Sequence, residues 1–181
     1  MATTRDPERT RQALLDCALR LALERGLAGL SLQQVARAAG VTKGGLFHHF
    51  ASRDALLEAM ARDFLDRLDA EIDARLAADP AREGRFTRAY VAAMLGGEVL
   101  GEAAPFAAPA LAMLAEPGLR EVWSGWIAGR LARHADTDGG TRLAMIRLAA
   151  DGAWLAHVTD ASQGPSARES LAELLRMSSP G

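Results

Sequence analysis

One cysteine, Cys17, and one lysine, Lys43, stand in a chain of 181 residues. A single thiol excludes an internal disulfide and any zinc site built on cysteine pairs. Cys17 lies among Leu14, Leu15, Ala18 and Leu21 and reads as a small buried hydrophobe. Aromatic residues make up only 5% of the chain, so the core is expected to rest on close packing of alanine- and leucine-rich helices. No apolar run approaches the roughly 18 residues of a membrane span, and the opening MATTRDPERTR is polar. A cytoplasmic protein without a membrane partner is expected. Neither a glycine-rich catalytic loop nor a carboxylate pair is found, so no catalytic residue, cofactor or enzyme activity is assigned. His48 and His49 are adjacent, and neighbours on a helix point about 100° apart. With no Asp, Glu or Cys at i+4 they are not read as metal ligands.

What is present is a helical chain with a charge gradient. Hydrophobic residues reach 49%, enough for a core. Residues 1–50 hold seven Lys/Arg against four Asp/Glu, whereas the whole chain carries a net charge of -2. The N-terminal part is therefore the electropositive end, as phosphate binding requires. Asp6 and Pro7 mark the start of a helix that Gly26 ends near Arg25, with Leu14, Leu15, Ala18, Leu21 and Ala22 inward. Arg5, Arg9 and Arg11 can be solvated or can meet phosphates.

The stretch SLQQVARAAGVTKGGLFHHFASR, Ser31 to Arg53, carries the most information. Ser31 and Gln34 have the spacing of a capping box, and Leu32, Val35, Ala36 and Ala39 recur at helical spacing. Gly40 stops that helix. Thr42 caps the next, Lys43 to His49, and Ser52 caps a third. Two helices joined by a glycine turn form a helix-turn-helix, whose second helix enters the major groove of DNA. Lys43, in its first turn, can reach a guanine edge or a phosphate. Thr42 and the backbone N–H groups of the helix start can bind phosphate. Gly44 and Gly45 let the backbone approach the groove, and Gln33 of the preceding helix can reach a base edge. Leu46 and Phe50 are read as core. Phe47 is read either as core or as a contact to a sugar or a thymine methyl. His48 is counted with the DNA-facing residues.

Val35-Ala36, Ala39-Gly40-Val41-Thr42-Lys43-Gly44, Leu46-Phe47-His48-His49-Phe50 and Ser52-Arg53-Asp54-Ala55-Leu56 together resemble the signature of the TetR family of bacterial transcriptional regulators. Phe47 departs from it, standing where the family usually has tyrosine. The resemblance implies an all-α fold of two parts. Residues 1–52 would form a helix-turn-helix DNA-binding domain, and residues 53–181 a helical effector-binding and dimerisation domain. It further implies that His49 and Arg53 hold backbone phosphates, and that the protein is a regulator, most often a repressor, released from double-stranded DNA by a small-molecule effector. The last two helices, Thr141 to Met177, would build a homodimer interface. A DNA-binding adaptor or activator with no effector is the alternative.

The rest of the chain reads as further helices. Leu56, Leu57, Met60, Phe64, Leu68, Ile72 and Leu76 make an i, i+4 ridge from Ser52 to about Ala78, ended by Asp79-Pro80. Helices are expected over 83–100, 105–115, 119–134, 141–160 and 166–177, with Thr137–Gly140 as a turn. Met94, Phe106, Met113, Trp123, Trp126 and Trp154, with Tyr90 and His157 as polar handles, are candidates for an apolar effector pocket. The same residues would equally make a core.

Overall fold

The computed structural model describes residues 6–96, 116–158 and 164–179, and the regular structure among them is helical. The expected helix over 105–115, with Phe106 and Met113, lies outside the described residues. The chain forms two compact units, one of residues 1–64 with 108–123, the other of 65–107 with 124–181.

In the first unit α1 spans Pro7–Arg25, with Asp6 accepting from the Glu8 N–H and Gly26 at its end. A 3-10 turn over Leu27–Gly29 leads to α2, Leu32–Ala38, and α3, Lys43–His49. The capping box at Ser31 is formed in both directions, by Ser31 on the Gln34 N–H and by Gln34 on the Ser31 N–H. Gly40 has a φ of 66°, a left-handed conformation that side chains disfavour, and so it sets the turn between α2 and α3. The next helix, α4, runs Arg53–Ala78, and the N–H of Ala55 donates to the Ser52 hydroxyl. All seven ridge residues of α4 are buried. The first unit extends past residue 52 for a physical reason. Leu56, Leu57, Met60 and Phe64 bury their side chains, and the Gln12 amide of α1 reaches the Asp63 carboxylate at 3.1 Å. Cys17 departs from its reading as a core residue: it is half-buried, with the Arg20 guanidinium 3.6 Å from its sulfur.

In the second unit α5, Arg85–Gly96, packs against α8, Thr141–Val158, and α9, Ala167–Ser178. Val91, Leu143, Ile146, Ala150 and Leu174 form the shared core. Helix α5 starts at Arg85 rather than at residue 83, because Gly84 has a φ of 71° and cannot belong to it. Helix α6, Pro117–Arg133, starts two residues earlier than expected, with proline in the first turn, where its missing N–H costs nothing. The Thr137–Gly140 stretch is not a simple turn. Ala135–Asp138 makes one helical turn, α7, and Asp138 is 2% exposed. Its carboxylate accepts from the N–H groups of Thr87 at 2.7 Å and Phe86 at 3.3 Å. It thereby caps α5 from about fifty residues away in sequence, satisfying donors that have no partner within their own helix.

Three arginines close this unit. Arg88 donates to Asp79 and to the carbonyls of Ala81, Glu83 and Ser178, each within 2.8 Å. Arg147 donates to the Thr87 hydroxyl at 2.6 Å and the Asp138 carbonyl at 3.2 Å. Arg130 of α6 is 1% exposed. It donates to Asp69 at 2.6 Å, to Asp73 at 2.5 Å and to the Asp69 carbonyl at 3.1 Å. Burial pulls the Arg130 pKa down, but the hydrogen bonds it donates to Asp73 and Asp69, with the charges of those carboxylates, outweigh it, so the net shift is upward.

Candidate nucleic-acid interface

Helix α3 is held from one side and open on the other. Leu46 and Phe50 are buried, as expected of the residues that anchor it. Arg11 of α1 is stacked over the Phe50 ring, 4.9 Å from guanidinium carbon to centroid, so this arginine fixes the helix end; Arg9 is exposed. The other face carries Thr42, Lys43, Gly44, Phe47 and His48, all exposed. His49 is half-buried, and its ring lies 76° from that of His48. The Gly45 N–H donates to the Thr42 hydroxyl at 3.1 Å, and a β-carbon on Gly45 would come within 3.3 Å of that oxygen. Gly45 therefore serves the cap. A β-carbon on Gly44 would meet nothing within 4 Å, so packing inside the protein does not require glycine there.

A cleft of about 700 Å³ lies between α2 and α3, lined by Ser31, Gln33, Gln34, Ala36, Arg37, Val41 and Lys43. It brings Gln33 and Lys43 to one opening. It also adds Arg37, which the sequence reading missed. The available signal was its position four residues after Gln33, one turn further along the same helix face. Phe47, left open between core and contact, is 43% exposed. The Arg53 Nε donates to the Leu30 carbonyl at 3.1 Å and an Nη to the Leu27 carbonyl at 2.8 Å. Glu116 lies 3.8 Å from the same guanidinium. These contacts make Arg53 a strut between α4 and the connector ahead of α2. The Leu27 carbonyl also accepts from the Leu30 N–H at 3.0 Å, so the guanidinium reinforces that turn.

Two family models match this arrangement. One, described as bacterial regulatory proteins of the tetR family, covers residues 14–60; the other, a tetracyclin repressor-like C-terminal domain, covers 84–179. The chain belongs to the TetR family. Among curated TetR-type sequences, the HTH-type transcriptional regulator AcrR of Shigella flexneri is 35% identical over 81 residues, 43% of this chain and 38% of AcrR. The HTH-type transcriptional repressor KstR2 of Rhodococcus jostii (strain RHA1) is 43% identical over 58 residues, 32% of this chain and 28% of KstR2. The chain thus spans 28% to 38% of the length of these two curated relatives. Among solved structures, the multidrug binding protein EbrR complexed with malachite green has a TM-score of 0.69 at 28% identity, covering 92% of this chain and 96% of EbrR. A TetR-family member from Streptomyces coelicolor A3 has a TM-score of 0.66 at 26% identity, covering 93% and 97%. The all-α fold stands on this membership.

The described effector candidates of this TetR-family chain fall in both units. Trp123 falls in the first unit and Trp126 in the second. Tyr90, Met94 and Trp154 are buried in the second unit. The Tyr90 hydroxyl donates to Asp151 at 2.6 Å, and burial first, then that carboxylate, raises its pKa well above the ordinary value. Burial likewise raises the Asp151 pKa, against the Tyr90 hydrogen bond and the charge of Arg147. The Trp126 indole N–H donates to Asp69 at 2.7 Å, which makes it part of the Arg130 cluster. His157 is exposed on α8. Trp154 is 7% exposed, and its indole N–H has no hydrogen-bond partner among the described residues. A separate cavity of about 570 Å³, within the first unit, is lined by Asp54, Leu57, Glu58, Arg62, Glu116, Gly118, Leu119, Glu121 and Val122. Among the described residues no helix is long and apolar enough to cross a membrane.

Proposed function

We propose that this chain is a ligand-responsive repressor that binds a near-palindromic operator as a homodimer in the cytoplasm. The observation that carries the DNA reading is the open face of α3. Lys43, Gly44, Phe47 and His48 stay exposed while Leu46 and Phe50 anchor the helix. Lys43, Gln33 and Arg37 are the candidate base or phosphate contacts, and Thr42 with the helix N-terminus and His49 the phosphate contacts. The DNA-reading part lies within residues 1–52, and the effector and dimer parts within 53–181.

The second copy of the chain would sit on α8 and α9. Met145 and Leu148 are 61% and 63% exposed, Leu155 is 42% exposed, and Ala149 and Gly152 lie exposed between them at helical spacing. Met177 on α9 is 44% exposed. A stripe of this kind on two adjacent helices suits a four-helix interface. In such a dimer two α3 helices would enter successive major grooves, roughly 34–36 Å apart.

The effector would lie in the second unit, where the unpartnered Trp154 N–H calls for an acceptor. It would act by binding a DNA-incompetent dimer more tightly; a swing from 1:99 to 99:1 needs about 5.5 kcal/mol of difference. Helix α4 belongs to both units, so it is the natural connection. The test is selection of binding sites from random duplex DNA with the full chain, followed by gel shift across a salt series. A selected inverted repeat with salt-dependent affinity is expected, and absence of any enriched site rejects the reading. Malachite green, the ligand of the EbrR complex, is the first effector probe for release of the selected DNA.

A further inference from the structure

Five large apolar side chains are conspicuously exposed among the described residues: Phe47, Met145, Leu148, Leu155 and Met177. The last four lie on α8 and α9, where a second copy of the chain accounts for them. Phe47 is on α3 and needs another explanation.

Its surroundings supply one. Phe47 stands four residues after Lys43, on the same helix face, and the Lys43 ammonium lies 5.7 Å from the centre of the Phe47 ring. A cation over an aromatic face is attracted to it, weakly where water competes. The ring thus steadies the flexible lysine over the open face. Three residues before Phe47 is Gly44, where a side chain would meet empty space. The result is a cationic donor, a bare stretch of backbone and a flat apolar surface along one edge of the helix.

We infer that Lys43 and Phe47 act as one reading unit, selecting a guanine and a thymine about two base steps apart in each half-site. This rests on the DNA reading proposed above. Lys43 has donors only, and the major-groove edge of guanine offers two acceptors, N7 and O6. Phe47 has no polar atom and cannot hydrogen-bond a phosphate. The apolar group the major groove exposes is the thymine C5 methyl. The spacing follows from helix geometry. Four residues rise about 6 Å along α3, and successive bases on a strand lie about 3.4 Å apart, so a helix lying along the groove puts the two contacts about two steps apart.

The test starts from an operator selected from random duplex DNA with the full chain. Each thymine of a half-site is replaced in turn by deoxyuridine, which removes only the methyl group, and each guanine by 7-deazaguanine, which removes the N7 acceptor. For the unaltered protein, one thymine per half-site is expected to lose about fourfold in affinity, the worth of one buried methyl group. One guanine about two steps away should also be sensitive. In Phe47→Ala the deoxyuridine penalty should vanish while the deazaguanine penalty persists. In Phe47→Leu, which keeps an apolar side chain, some of the methyl preference should remain. Phe47 is exposed, so neither variant should disturb folding, and unfolding curves check this. Insensitivity to every deoxyuridine, or a penalty that survives in Phe47→Ala, overturns the inference. So does a weaker-binding Phe47→Ala whose parent ignores the methyl, which would mean a sugar contact instead. Failure to select any operator would be a failure of the DNA reading itself, and is thereby told apart from these outcomes.

Discussion

The two units of this protein are held together in different ways. In the first, helices of seven residues are set by neighbours in sequence: Ser31 with Gln34, Thr42 with Gly45, Gly40 at its turn. In the second, the decisive contacts join residues far apart in the chain. Asp138 caps α5, Arg88 gathers four acceptors, and Arg130 bridges two carboxylates of α4. The first unit leaves Lys43 and Phe47 open on α3, whereas the second buries Arg130, Arg147 and Asp138. The contrast is that α3 leaves side chains its own unit does not use, which supports the DNA reading proposed above, while buried polar groups of the second unit hold its own architecture together. The difference can be broken by substitution, and each of the following outcomes bears on it.

The largest effect should come from Arg130→Ala. It strips Asp69 of the buried guanidinium and is expected to lower unfolding stability by about 3 kcal/mol, read from urea or thermal unfolding. A loss under about 1 kcal/mol would mean that the cluster contributes little. Next is Gly84→Ala. A β-carbon there would come within 2.7 Å of the Ser178 carbonyl oxygen at a φ of 71°, and about 2 kcal/mol of destabilisation is expected. Unchanged stability would show that the close approach of α9 relaxes at no cost.

In the first unit the readout should change from folding to binding. Lys43→Ala should weaken operator affinity about tenfold, within the 1–3 kcal/mol of a specific base contact, with no change in unfolding temperature. Unaltered affinity in a gel shift removes Lys43 from the interface. Gly44→Ala should be smaller still. Replacing glycine inside a helix stabilises it by up to about 1 kcal/mol, and the added methyl should reduce DNA affinity if the backbone lies against the groove. Equal or tighter binding rejects that close approach.

The smallest effect is a pH dependence of the second unit. The His134 ring stacks on Phe86 with centroids 4.8 Å apart and planes 3° apart. Burial first, and nearby arginines after it, lower its pKa below 6.5 against the pull of Asp138. The unfolded chain therefore binds a proton more readily than the folded one. Stability should be constant above about 6.5 and fall as pH drops from there toward the depressed native value. His134→Phe should flatten that slope, and a slope unchanged by the substitution would assign it to other groups.

Most of the helix map was legible because it rests on short-range rules. The starts at Pro7, Leu32, Lys43 and Arg53, and the ends at Arg25 and Ala78, follow caps, glycines and prolines that act within four residues. The apolar ridge of α4 was legible for the same reason, since its period is a local property. Departures came where a distant group decides. Nothing near Arg53 signals that its donors meet the carbonyls of Leu27 and Leu30. Nothing near Asp138 signals that it serves the N-terminus of α5, so its surroundings read as an ordinary turn. Arg130, a charged residue on an amphipathic helix, gave no sign of burial until Asp69 and Asp73 were seen beside it. Composition likewise does not tell which way a helix is rotated, so the exposure of His157 on α8 was not legible in the sequence.

From the sequence alone came the all-α architecture, the helix-turn-helix and the identity of Lys43, Gly44 and Phe47 as neighbours on one short helix, because caps and periodicity act over a few residues. Only the tertiary structure decided that Phe47 faces outward, that Arg53 is a strut and that the second unit is clasped by buried arginines. Those outcomes depend on which surfaces meet across tens of residues, and burial and charge pairing are settled by that meeting rather than by any local pattern.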